Sequence, residues 1–331
     1  MSYSWVEESI EKIPRRIYLL NCKFDFNNIS YTITVDKIKS HNKLNICYGK
    51  LIGSDGSDKQ IVIKMYEQSN SQFDQDTFTN LLDEIELHGK IEEKIGYLSY
   101  SSHMLFFFAT EQNIGIIFDN LGSQLDKINL NIFNFVTKKQ MILQLLQQIN
   151  FLQINDIFHG DIKPQNICVS LDGKLSLVDF GISYCKSYFD NKETFYNTTW
   201  TSGSPEYGLI YCKQKAGDPY PKELFDKSQH FALAGLIFGI LLNDPDIYFS
   251  KSLQLVNMLK SPNENLEILN LERRFRYFNE KFSLEIKQFI ESKIPEQHSE
   301  FTPILLNMFE FNYELRSSLD TIIKQIELIS K

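Results

Sequence analysis

Glycine is scarce in this chain, with 15 in 331 residues, below the usual share of about 7%. Glycine lets a backbone turn through positive φ or press against a ligand, so the places where it is kept or missing carry information. Cysteine is sparse too. Cys22, Cys47, Cys168, Cys185 and Cys212 are odd in number and contain no CxxC pair. That excludes a disulfide framework and offers no zinc-site spacing, so a reducing intracellular compartment such as the cytoplasm is expected. Excess positive charge is absent. Lys and Arg number 34 against 42 Asp and Glu, a net charge of −8. Capture of nucleic acid or an anionic membrane by overall charge is therefore excluded. Long apolar runs are missing as well. The longest, Phe231 to Leu242, is too short to span a bilayer and reads as a buried core helix. The N-terminus lacks the apolar segment of a signal peptide.

Aromatic residues are plentiful, at 13% of the chain, and suit a core built on large anchors. Residues 4–13 read as a short helix within an N-terminal extension, 1–25. From about Tyr31 the runs YTITV, NICYGKLI and KQIVIKMY alternate with polar turns and predict an antiparallel meander. A helical pattern follows over TFTNLLDEIELHGKIEEKI, then the strand-like runs HMLFFFAT and IGIIFDNL. Beyond Gly122 the pattern turns helical. Thr137 with Gln140 reads as a capping box, and Ile142, Leu145, Ile149 and Leu152 mark one apolar helix face. Two short strands, NICVSL and KLSLVDF, precede a mostly helical remainder.

The chemistry concentrates in HGDIKPQN, residues 159–166, and in Asp179-Phe180-Gly181. The thirteen positions from Asn166 to Asp179 hold two short strands and a turn at Asp172-Gly173, which returns Asp179 to the side of Asn166. An amide oxygen and a carboxylate are hard ligands suited to Mg²⁺. Asp161 is placed to accept a proton from a hydroxyl. This constellation resembles the catalytic loop and magnesium loop of protein kinases, and the resemblance covers about residues 30–331.

The resemblance implies an α+β, bilobal fold: a small antiparallel-sheet lobe with one main helix over 26–119, and a large helical lobe over 120–331. It also implies a serine/threonine protein kinase using ATP and Mg²⁺, or Mn²⁺, on a protein substrate. Lys64 in Ile61-Val62-Ile63-Lys64 stands for the strand lysine that pairs the α- and β-phosphates. Glu84 fits its helix partner better in phase than Glu86. Phe118 stands as gatekeeper, with Asp119 and Leu121 offering backbone groups to adenine. Val62 lies above the base and Cys168 below it. Asn166 and Asp179 hold the metal. Asp161 and Lys163 are catalytic, with Lys163 bonding Thr199. His159, Phe180 and His88 belong to an internal spine, Gly181 follows the metal aspartate, and Glu206 pairs with Arg316. Locally, HGDIK and Leu121-Gly122-Ser123-Gln124-Leu125 are similar to the casein kinase I and vaccinia-related kinases. That likeness and an AT-rich residue usage suggest a large DNA virus or another low-GC intracellular agent as the source, with a host cell or virion as the location if viral.

Some positions depart from the family pattern. Gly160 replaces an arginine that reads activation-segment phosphate, which implies activity without such phosphorylation. Ser183, Ser187, Thr194, Thr198 and Thr201 then read as ordinary loop hydroxyls. The phosphate-covering loop, Ile38 to Ile46, has no glycine. Asn42 and Asn45 tolerate left-handed backbone, and Lys39 or Lys43 can supply charge. His230 is aligned with the helix aspartate that braces the catalytic loop. These departures keep two alternatives open: a pseudokinase scaffold with weak nucleotide binding, and a small-molecule kinase.

Overall fold

A computed structural model describes residues 22–41, 44–67, 75–95, 104–109, 113–181, 183–185, 222–247, 283–310 and 312–330. The expected helix at 4–13, Thr199, Glu206, Ser187, Thr194, Thr198 and Thr201 lie outside them. The chain divides into two compact units, Met1–Leu121 and Gly122–Lys331. The first is built on antiparallel sheet and the second is mainly helical, which is the α+β composition expected.

The sheet of the first unit has six strands among the described residues: β1 Cys22–Phe26, β2 Ile29–His41, β3 Leu44–Gly53, β4 Asp58–Glu67, β5 Met104–Ala109 and β6 Asn113–Asp119. Their order is β1-β2-β3-β4-β6-β5, with every neighbouring pair antiparallel. The expectation began the sheet near Tyr31 and left residues 1–25 outside it. The structure adds β1, joined to β2 by Asn27 and Asn28, both at positive φ. Two such residues make the tight turn that matches strand twist, and Asn reaches that region at lower cost than most residues.

One sheet face buries Phe24, Ile33, Cys47, Leu51, Ile61, Ile63, Met65, Phe108 and Ile117. Phe106 joins Phe24, Phe26 and Tyr31 in an aromatic cluster, with ring centroids 4.9–5.6 Å apart. The other face gathers Leu81 of helix α1 (Gln75–Ile95) with Ile114 and Ile116. Strands with both faces covered read as near-continuous apolar runs, as IVIKMY and IGIIF do.

In the second unit, helix α2 (Phe135–Ile154) buries Ile142, Leu145, Ile149 and Leu152, the face expected of it. Its start corrects the capping-box reading. The cap is Asn134, whose side chain accepts the Thr137 N–H at 2.9 Å. Thr137 is already inside the first turn, so the true cap is three positions upstream. Asn satisfies an orphan N–H there as well as Thr does. Strands β7 (Ser123–Gln124), β9 (Ile167–Val169) and β10 (Leu175–Leu177) form a small sheet, and β8 (Ile157–Phe158) pairs with β11 (Tyr184–Cys185). Helix α3 (Lys222–Leu242) carries the apolar run, and its residues 231–241 are all buried. Among the described residues no helix is long and apolar enough to cross a membrane. Helix α4 spans 283–293, α5 Thr302–Met308 and α6 Leu319–Leu328.

Asn134→Ala is expected to cost about 1 kcal/mol of stability and Thr137→Ala clearly less, as measured by urea unfolding. The reverse order would restore the capping box at Thr137.

Candidate active site

In the first unit, Lys64 on β4 and Glu84 on α1 form a buried ion pair. Lys64 Nζ lies 2.8 Å from Glu84 Oε2 and 3.1 Å from Oε1. Glu84 is 2% exposed and Lys64 8%. Glu86 is exposed and Asp83 half-buried, because helical phase turns only one of these carboxylates onto the sheet. Removing one partner of such a pair strands the other charge, at about 3–5 kcal/mol. Val62 pairs across the sheet with Phe118, and both are half-buried. His88 packs its ring 5.1 Å from that of Phe118. Asp119 lies 3.6 Å from Lys59, and Asn120 N–H donates to Gln60 O. Leu121 is half-buried at the end of this unit.

In the second unit, the loop after β8 gathers the motif residues. Lys163 Nζ contacts Asp161 Oδ2 at 2.5 Å, and Asn166 Nδ2 donates to the same oxygen at 2.8 Å and to Asp161 O at 2.9 Å. Two donors on one oxygen orient the carboxylate, and the other oxygen faces no bond from either. Proline at the start of a 3-10 turn, Pro164–Asn166, sets the approach of Asn166. The hairpin of β9 and β10 then brings the chain back. Gly173, at φ +82, closes its turn, and Val178 N–H donates to Asn166 O at 3.0 Å. Asp179 follows at once, exposed, at φ +65. A non-glycine residue in that region is held there by its surroundings.

His159 is the buried centre of the loop, at 0% exposure. Its Nδ1 accepts the Asp161 N–H at 3.3 Å, so Nε2 carries the hydrogen and donates to Val178 O at 3.2 Å. Burial holds its pKa below the ordinary histidine value, with Asp161 and Asp179 opposing the shift. Its ring packs 4.8 Å from that of Phe180. Gly160 has φ +83, a backbone that a side chain enters only with strain. Gly181 is half-buried. Ser183, read from sequence as an ordinary loop hydroxyl, instead donates its Oγ–H to His159 O at 2.6 Å. Cys168 sits between Gln124 and Ser176 in the small sheet, and burial raises its thiol to about 11, so it stays a neutral apolar group.

The brace of this loop is Gln229. Its Oε1 accepts the His159 N–H at 3.0 Å, and the side chain is fully buried. The sequence aligned His230 with the bracing residue and left open a brace by another group, and the second outcome is the one found. Adjacent residues on a helix point about 100° apart, so Gln229 and His230 meet different neighbours. His230 Nε2 lies instead 3.4 Å from Gln153 Oε1. Burial, then the cations Arg316 and Lys227, push its pKa down to about 3. Arg316 is 2% exposed. It donates to Glu310 O and to Lys227 O at 2.6 Å each, and its guanidinium lies 5.1 Å from the Phe231 ring centroid. The expected partner Glu206 is outside the described residues.

Asn166 and Asp179 fit a magnesium ion by donor chemistry. The Asn166 amide nitrogen is committed to Asp161, which leaves its oxygen as the ligating end, and hard oxygens suit Mg²⁺. Among the described residues no cluster of three or more His, Cys, Asp or Glu side chains marks a different metal site.

Residues 50–325 match the protein kinase domain, and the chain belongs to the protein kinase family. Serine/threonine-protein kinase crk1 of Schizosaccharomyces pombe (strain 972 / ATCC 24843) is 33% identical over 98 residues, covering 27% of this chain and 29% of that protein. The chain thus matches under a third of that relative's length.

Gln229→Leu removes the acceptor for the His159 N–H and is expected to cost about 1–3 kcal/mol in urea unfolding; an unchanged midpoint would discard the brace. The histidines give a pH dependence of known sign. The folded pKa of His230 is depressed, so the unfolded chain binds the extra proton below the ordinary value of 6.5. Stability is complete above that value and falls as pH drops toward 3, by about 1.4 kcal/mol per pH unit. His159 adds in the same direction. Urea midpoints taken from about pH 7.5 to pH 5 should fall in the wild type and fall less steeply in His230→Gln.

Proposed function

We propose that the chain is a serine/threonine protein kinase that transfers the γ-phosphoryl group of ATP to a protein hydroxyl. The bonded set Lys163–Asp161–Asn166, with Asp179 tied alongside through Val178, carries the reading. Asp161 orients the acceptor hydroxyl and takes its proton on the oxygen left open by Lys163 and Asn166. Lys163 offsets charge on the transferring group and, through Thr199, supports the peptide-binding segment. Asn166 and Asp179 would hold Mg²⁺, which supplies charge neutralisation on the phosphates. Lys64, held by Glu84, would position the α- and β-phosphates. Phe118, Asp119, Leu121, Val62 and Cys168 would border adenine. Lysine at 163 and threonine at 199 support a serine or threonine of a protein as acceptor over a small molecule.

Catalysis on this reading is positioning and electrostatic preorganisation. Gly160 offers no side chain to an activation-segment phosphate, and Ser183 already spends its hydroxyl on His159 O. Both features support activity without phosphorylation of that segment.

The test is phosphate transfer from Mg-ATP to a generic basic protein, with Asp161→Asn and Asp179→Ala alongside. Losses of about 10³-fold or more are expected in both variants. Wild-type transfer equal to theirs would replace this reading with the pseudokinase. Phosphatase treatment of the wild type should leave its rate unchanged. Lys64 is a poor inactive control, because its loss removes the counter-ion of buried Glu84 and so lowers stability as well.

A further inference from the structure

The β2–β3 hairpin stands where the phosphate-covering loop is expected, and it carries no glycine from Ile38 to Ile46. The match to the kinase domain begins only at residue 50, beyond this hairpin's tip. Asn42 and Lys43 lie outside the described residues. Asn45, considered above for a left-handed turn, sits within β3 opposite Ser40 and Met65.

One irregularity decides where the hairpin's side chains point. The register of β2 on β3 shifts between Val35 and Lys37, so Asp36 is an extra residue. Before it, Tyr31, Ile33 and Val35 face the core of Ile61, Ile63 and Met65. Strand side chains alternate between faces, so an unbulged strand would send Lys37 and Lys39 into that core and Ile38 out of it. The bulge reverses this. Ile38 packs on the core. Lys39 instead pairs with Ile46, and Ile46 pairs with Lys64. Directly opposed residues share a face, so Lys39, Ile46 and Lys64 form one cross-strand row. Strands lie about 4.8 Å apart, which puts the two lysine backbones roughly 10 Å apart.

Lys39 is also held in place. Its Nζ lies 5.2 Å from the Tyr48 ring centroid and 3.5 Å from the Tyr48 hydroxyl oxygen. Tyr48 pairs with Val62, beside Lys64 on the same face. Glu84 balances the charge of Lys64, whereas a phenol orients an ammonium without neutralising it.

We propose that Lys39 is a second phosphate-contacting cation on this face, oriented by Tyr48, and that it replaces the backbone N–H donors a glycine loop supplies. Its ligand is a nucleoside polyphosphate. The proposal rests on the kinase reading and concerns nucleotide binding, so it can be tested apart from transfer.

Binding of Mg-ATP, Mg-ADP and adenosine is measured by calorimetry for the wild type, Lys39→Met, Lys39→Arg, Tyr48→Phe and Lys50→Met. Lys39→Met is expected to weaken ATP binding about tenfold or more, the worth of one charge-assisted hydrogen bond. Its adenosine binding should be unchanged, which also certifies the fold. Arginine should restore most of the ATP affinity, and Tyr48→Phe should lose part of it. Lys50, which lies 3.6 Å from Asp58 and outside the row, should be replaceable without effect. ATP binding by Lys39→Met equal to wild type, or an equal loss for ATP and adenosine, overturns the proposal. ATP binding without transfer defeats the kinase reading and leaves this one standing, while no ATP binding by the wild type overturns both.

Discussion

The second unit depends on the buried imidazole of His159. Its backbone N–H is taken by Gln229 of α3, its Nδ1 by the Asp161 N–H, its Nε2–H by Val178 O, and its carbonyl by the Ser183 hydroxyl. One residue therefore ties the loop bearing Asp161 to the strand leading to Asp179 and to the central helix. Buried polar groups are costly unless bonded, so this arrangement admits few alternatives. It also demands a neutral imidazole, because a proton on Nδ1 would expel the Asp161 N–H. Burial supplies that neutrality by disfavouring the charged form.

The first unit is organised by a different constraint, the pleat of its sheet. Lys64 alternates with Ile63 and Met65, so it faces α1 while they face the apolar core. Glu84 meets it because the helix presents Leu81, Glu84 and His88 along one buried stripe. The same two-residue period makes the bulge at Asp36 consequential. A single extra residue moves Lys39 from one side of the sheet to the other. Where backbone freedom is scarce, the chain uses register to place a charge.

Much of this was legible in the sequence. Motif order and spacing, through the resemblance to protein kinases, single out Lys64, Asp161, Lys163, Asn166 and Asp179, and no packing knowledge is needed to find them. Glu84 over Glu86 was legible from helical phase. What escaped was local geometry that several residue types satisfy equally well. Asn134 and Thr137 are both good caps, and only the path of the chain into α2 separates them. Gln229 and His230 can both hydrogen-bond, and a helix turns them to different neighbours. Ser183 has no signature beyond a hydroxyl. Strand β1 was hidden because CKFDF is short and falls at the end of the segment read as an N-terminal extension, and its pairing with β2 is a tertiary fact.

The shortage of glycine shows where the division falls. By itself the sequence determined which chemical groups are present, their order, and that the expected phosphate loop lacks the residue that lets backbone approach a ligand. It could not determine what stands in place of that loop. Alternation along β2 reads the same with or without an extra residue until the strand is paired. Only the tertiary structure, by matching Val35 to Gly49 and Lys37 to Tyr48, turned Lys39 to the face of Lys64. Register is a property of two strands, and no single strand encodes it.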